Sequence, residues 1–127
     1  MSDTTTRGIR IQVEPRYIAE QSDPRAGKYL FAYHITIENR GREAVQLVSR
    51  HWVITDGDGD KAEVKGAGVV GEQPRLAPGE QFQYTSACPL STPVGTMQGS
   101  FQMVTDGGQQ FDAWIEPFRL ATPGALH

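Results

Sequence analysis

The most constraining feature of this chain is the alternation between Lys28 and Arg40. Tyr29, Phe31, Tyr33, Ile35 and Ile37 occupy every second position, and Leu30, Ala32, His34, Thr36 and Glu38 fill the positions between them. A strand points successive side chains to opposite faces, so the five large residues share one buried face, whereas a helix would scatter them around its circumference. This stretch and Arg42 to Asp56 are the only runs of more than a dozen residues without glycine or proline. The 14 glycines and 8 prolines interrupt every other window, so long helices have no room to form.

The same parity test finds further strands. Ile9, Ile11 and Val13 alternate with Arg10, Gln12 and Glu14, and Phe82 and Tyr84 alternate with Gln81, Gln83 and Thr85. Met97, Gly99, Phe101 and Met103 alternate with Gln98, Ser100 and Gln102, and Phe111, Ala113 and Ile115 alternate with Asp112, Trp114 and Glu116. Between Ala44 and Thr55 the parity changes: Val45 and Leu47 lie on one face and Val48, Trp52 and Ile54 on the other. A bulge near Leu47 to Ser49 reconciles them, because one extra residue reverses the side-chain face. Lys61 to Val70 supplies one or two shorter strands. Asn39-Arg40-Gly41, Asp56-Gly57-Asp58-Gly59 and Asp106-Gly107-Gly108 carry the chemistry of tight turns. The reading is a single all-β domain, an immunoglobulin- or fibronectin-III-like sandwich of seven to eight mostly antiparallel strands. Its core is expected to run from about residue 8 to residue 120, with frayed tails at 1–7 and 121–127. The run containing His34 and the following run containing His51 are expected to pair as a hairpin, which would bring the two histidines together.

Charge narrows the function classes. Twelve lysines and arginines against 15 aspartates and glutamates leave a net charge of −3, with no basic footprint for nucleic acid or an anionic membrane. No apolar run approaches the roughly 20 residues that span a bilayer. The polar start Met1 to Thr6 lacks the apolar core of a signal peptide. One cysteine, Cys88, cannot form an internal disulfide or a paired-cysteine zinc site. A cytoplasmic location is expected, because small secreted domains usually carry bridges.

Several motifs carry candidate chemistry. Gly66, Gly68 and Gly71 spell G-x-G-x-x-G, the pattern of a pyrophosphate-binding turn. That mechanism needs a helix after the third glycine, and Glu72-Gln73-Pro74 followed by Pro78-Gly79 forbids one. A reduced form remains: consecutive amides of a glycine-rich turn can cradle phosphate or pyrophosphate, with Arg75 beside them. The alternative is that the glycines only permit sharp bends. Asp56, Asp58 and Asp60 begin like a calcium loop, but Lys61 and Ala67 occupy the positions where that loop needs glycine and glutamate, so a hairpin tip is expected. His34, His51 and His127 do not have metal-ligand spacing, and no metal or other cofactor is expected. Cys88 lacks an activating base, and no nucleophile-base arrangement suggests an enzyme. Trp114 shares a face with Asp112 and Glu116, opposite the apolar residues of its run. It is therefore expected to be partly exposed and is a candidate interface anchor.

Taken together, Ser49-Arg50-His51-Trp52-Val53-Ile54-Thr55-Asp56, Val64 to Pro74, Leu76 to Ser86, Gly95 to Phe101 and Phe111 to Leu120 resemble the ApaG family. The resemblance covers about Ile11 to Leu120 and implies a fibronectin-III-like sandwich. It also implies an association, through the name CorD, with cobalt and magnesium resistance. Related domains accompany other domains in eukaryotic proteins, as interaction modules do, and the family offers no catalytic residues to carry over. The leading expectation is a non-enzymatic adaptor that binds a protein partner. Phosphate or nucleotide-anion binding at the Gly66 to Gly71 loop, with Arg75 beside it, is the alternative.

Overall fold

The computed structural model describes residues 1–125, and nine strands build it. They are β1 (Ser2–Thr6), β2 (Ile9–Tyr17), β3 (Tyr29–Asn39), β4 (Val45–Asp56), β5 (Lys61–Ala67), β6 (Arg75–Leu76), β7 (Gln81–Leu90), β8 (Val94–Thr105) and β9 (Gln110–Ala121). Two single-turn 3-10 segments, Ala19–Gln21 and Pro24–Ala26, lie in the loop before β3. One antiparallel sheet has the order β1-β2-β3-β7; the other has the order β5-β4-β8-β9, with β6 paired to β4. The expected all-β sandwich is therefore what forms, and no α-helix occurs among the described residues.

The alternation read from the sequence sets which side chains meet between the sheets. Phe31, Tyr33, Ile35 and Ile37 of β3 are buried, beside Ile9, Ile11 and Val13 of β2. Ile11 lies opposite Ile37, and Val13 lies opposite Ile35. From the second sheet come Trp52, Met97, Phe101, Ala113, Ile115 and Phe118. Trp52 sits edge-on to Tyr33, Phe101 and Phe118, with ring centroids 5.4, 6.1 and 5.9 Å away. Each such aromatic pair adds about 0.5–1.5 kcal/mol beyond the burial of area. The β4–β8 register shifts between Leu47 and Ser49, where the change of parity placed the bulge. A second shift occurs between Met97 and Gly99, in the β8–β9 ladder. A Cβ on Gly99 would lie 2.0 Å from the His51 carbonyl oxygen, so only glycine lets β8 approach β4 there.

Two expectations need correction. The first concerns the N-terminus: Ser2–Thr6 is a paired strand and not a frayed tail, with Thr4 opposite Ile11 and Asp3 opposite Gln12. Its hydroxyls reach the neighbouring sheet as well. The amides of Trp114 and Glu116 donate to the Oγ1 atoms of Thr6 (3.2 Å) and Thr4 (3.1 Å), which covers the outer edge of β9. At the other end, β9 extends to Ala121, and the remainder of the expected tail, including His127, lies partly outside the described residues. The second correction concerns β3 and β4, which are consecutive but belong to different sheets. Each has an apolar face, interrupted in β4 by the bulge, that needs the other across the core, so they stack instead of pairing. Buried Asn39 fixes the crossing. Its Nδ2 donates to the carbonyls of Glu43 and Leu76, both at 2.9 Å, and its Oδ1 accepts from the Gly41 amide at 2.9 Å.

Candidate functional site

The glycine-rich turn bonds several of its backbone groups within the fold. The Gly68 amide donates to the Val48 carbonyl (2.9 Å), and Val69 and Glu72 exchange amide-carbonyl bonds at 2.8 Å in each direction. Gly68, Val70 and Gly71 have φ of +60°, +43° and +81°. This left-handed path folds the chain back and drops Val69, 1% exposed, into the core. Arg50 crosses beneath. Its Nη1 donates to the carbonyls of Ala67 (3.0 Å) and Gly68 (2.9 Å), and its guanidinium occupies the space that a side chain at Gly66 would need. Arg75 points elsewhere, onto Asp106, in a two-pronged ion pair with contacts of 2.5 and 3.3 Å. Gly66, Gly68, Gly71 and Arg75 are thus near in sequence but not gathered around one concavity, and extended chain follows Gly71.

The other sequence candidates scatter. His34 faces outward from the first sheet, bonded to Thr85 Oγ1 (2.8 Å) and Gln83 Oε1 (3.1 Å). His51 faces outward from the second sheet, with Nε2 3.1 Å from Glu63 Oε2. The hairpin expected to join the two histidines does not exist, because their strands lie in opposite sheets. Asp56 Oδ1 accepts the amides of Asp58 (2.9 Å) and Asp60 (3.0 Å), which shapes the β4–β5 hairpin tip. Burial of Cys88 pushes its thiol up to about 11, away from reactive thiolate.

The outer face of the second sheet is different. Alternation along β9 puts Asp112, Trp114 and Glu116 on this face, and Trp114 is 56% exposed. The register sets Trp114 beside Ser100, Ser100 beside His51, and His51 beside Lys65. A groove of about 360 Å³ runs along Trp114, floored by Gly99 and Ser100 and walled by His51, Val53 and Gln98. A neighbouring depression contains Ser49, Gln102 and Asp112. Gln102 ties this part together. Its Oε1 accepts from Ser49 Oγ (2.9 Å), and its Nε2 donates to Ser100 Oγ (2.8 Å) and Asp112 Oδ1 (3.3 Å). The Ser49, Ser100 and Gln102 network was not singled out from the sequence, although Gln98, Ser100 and Gln102 carry the outward parity of their strand. The arrangement is an exposed indole with hydrogen-bonded polar neighbours on three adjacent strands.

Comparisons with known proteins bear on the whole chain. The ApaG domain family model matches residues 19–105. A Protein ApaG of Thiobacillus denitrificans is 63% identical over 119 residues, covering 94% of each chain. A Protein ApaG of Pseudomonas paraeruginosa is 58% identical over 127 residues, covering 100% of each. The crystal structure of a putative ApaA protein from Bordetella pertussis superposes with a TM-score of 0.91 at 50% identity, covering 95% of this chain and 98% of that one. With the sandwich, the turn and the strand registers now described, the chain belongs to the ApaG family.

Proposed function

We propose that this protein is a non-catalytic interaction module that binds a protein partner through the outer face of β5-β4-β8-β9. The observation that carries the reading is Trp114, a large apolar side chain left 56% exposed on a rigid strand beside a ready-made groove. Aromatic side chains in such positions anchor interfaces, because they bury much area and lose little conformational freedom. The chemistry of the remaining candidates supports the same reading. The cysteine thiol is shielded, and the two described histidines stand on opposite outer faces, each bonded to a neighbour. With β1 set aside as an added edge strand, the order β2-β3-β7 against β5-β4-β8-β9 supports a fibronectin-III-like reading, a fold used widely for recognition. An effect on cobalt or magnesium tolerance would, on this reading, act through the partner. The buried free Cys88 fits a reducing, cytoplasmic setting.

The test is parallel affinity capture from bacterial lysate with the wild-type chain, Trp114→Ala and Thr36→Ala, the last lying on the outer face of the other sheet. The expected result is a partner retained by wild type and Thr36→Ala and lost by Trp114→Ala. Equal retention by all three would remove the assignment of this face.

A further inference from the structure

The geometry points to a partner of defined chemistry: an extended segment with basic side chains at alternate positions, lying along β9 with an arginine stacked on Trp114. This rests on the interaction reading above and names the partner class for the same face. Along β9, Asp112 and Glu116 stand two residues to either side of Trp114; all three are exposed, and Glu116 opens the bulge, Glu116-Pro117, that the register shift leaves without β8 partners. A strand advances about 3.3 Å per residue, so the Asp112 backbone lies roughly 7 Å along from that of Trp114, with Glu116 near the other side of the indole at the bulge. An extended partner repeats its own side chains at the same interval. An arginine over the indole would therefore set basic neighbours, two residues away, against the carboxylates.

The charges of this face favour that occupant. Among the described residues, the ion pairs are Arg10–Asp3, Arg40–Glu38, His51–Glu63, Lys65–Glu63 and Arg75–Asp106, and neither Asp112 nor Glu116 takes part in one. Lys65 shares the face but stands on β5, three strand spacings from β9, or about 14 Å away. Arg119 lies farther along β9, beyond the register shift and opposite Thr96. A planar guanidinium stacks on an indole and can bond a carboxylate through its edge at the same time, which suits it better than an anion or a neutral apolar side chain. The fold itself makes a related contact at the start of β9, where the Arg7 guanidinium lies 4.9 Å from the centre of the Phe111 ring.

The test uses the full chain, labelled with nitrogen-15, and the peptide acetyl-Gly-Arg-Gly-Arg-Gly-amide. Its control replaces both arginines with citrulline, which keeps the shape and removes the charge. The indole N–H signals provide a built-in reference, because Trp52 is buried at 3% exposure and Trp114 is open. The expected result is saturable movement of the Trp114 signal with Trp52 unmoved. The citrulline peptide should bind about 5-fold more weakly or worse, and Asp112→Asn with Glu116→Gln should weaken the arginine peptide by a similar factor. Raising salt from about 0.05 to about 0.5 M should weaken it further. Equal binding of the two peptides would overturn the proposal. So would stronger movement with methyl glucoside, or movement on concentrating the protein alone. If those arms fail while capture still depends on Trp114, the interaction face stands and the basic partner falls. If capture does not depend on Trp114, the face itself falls.

Discussion

In the turn from Gly66 to Gly71, the amides of Gly68, Val69 and Glu72 and the carbonyls of Ala67 and Gly68 are all bonded within the fold. On the outer face of β9, an indole is exposed between two carboxylates that form no ion pair among the described residues. The turn has the more conspicuous sequence pattern, and the face has the chemistry still available to a ligand. A motif of small residues can be demanded by chain path alone. An aromatic residue held away from the core needs some other reason.

The two tryptophans give the largest contrast. Trp52→Ala removes the centre of the aromatic cluster and should cost about 3–5 kcal/mol in denaturant unfolding. Trp114→Ala should stay within about 1 kcal/mol of wild type, because the residue packs against little. A comparable loss at both positions would make Trp114 a structural residue and weaken its assignment to recognition. The glycine turn gives the next largest effects. A Cβ on Gly68 would lie 2.2 Å from the Glu72 carbonyl oxygen at a φ of +60°, so Gly68→Ala should cost about 2–3 kcal/mol. Gly71 has open space around it and a φ of +81°, so Gly71→Ala should cost only about 1–2 kcal/mol. These differences would arise without any ligand. Correspondingly, titration with pyrophosphate should leave the amide resonances of residues 66–75 unmoved. Saturable shifts confined to that turn would restore an anion site there.

Alkaline pH gives a smaller, graded effect. The Cys88 thiol is raised from 9.0 to about 11 by burial, so between these values the unfolded chain has released a proton that the folded chain still holds. The unfolded state then binds fewer protons, and stability falls as pH rises through that window. Burial raises the phenols of Tyr33 and Tyr84 as well, which continues the decline at higher pH. Unfolding midpoints measured from pH 8 to pH 11 check the slope, and Cys88→Ala should reduce it.

The contrast also explains what the sequence made legible. The alternation from Tyr29 to Ile37 identified a strand buried on one face, and the parity change before Trp52 located a bulge to within two residues. The same parity put Trp114 outside. Strand β1 was invisible because Ser2–Thr6 contains no apolar residue. It is held by ladder bonds to β2 and by threonine hydroxyls on the β9 edge, which depend on neighbours distant in sequence. The separation of His34 from His51 was missed because adjacent strands can either pair or stack, and periodicity is identical in both cases. The Ser49-Gln102-Ser100 network was missed because its members meet only through strand register.

Site-specific photocrosslinking tests the proposed recognition face most directly. A benzophenone amino acid replaces Gln98, on the wall of the Trp114 groove, or Thr36, on the outer face of the opposite sheet. The expected result is a discrete protein adduct from position 98 that disappears with Trp114→Ala, and none from position 36. Adducts of equal yield from both positions, or from position 36 alone, would contradict it.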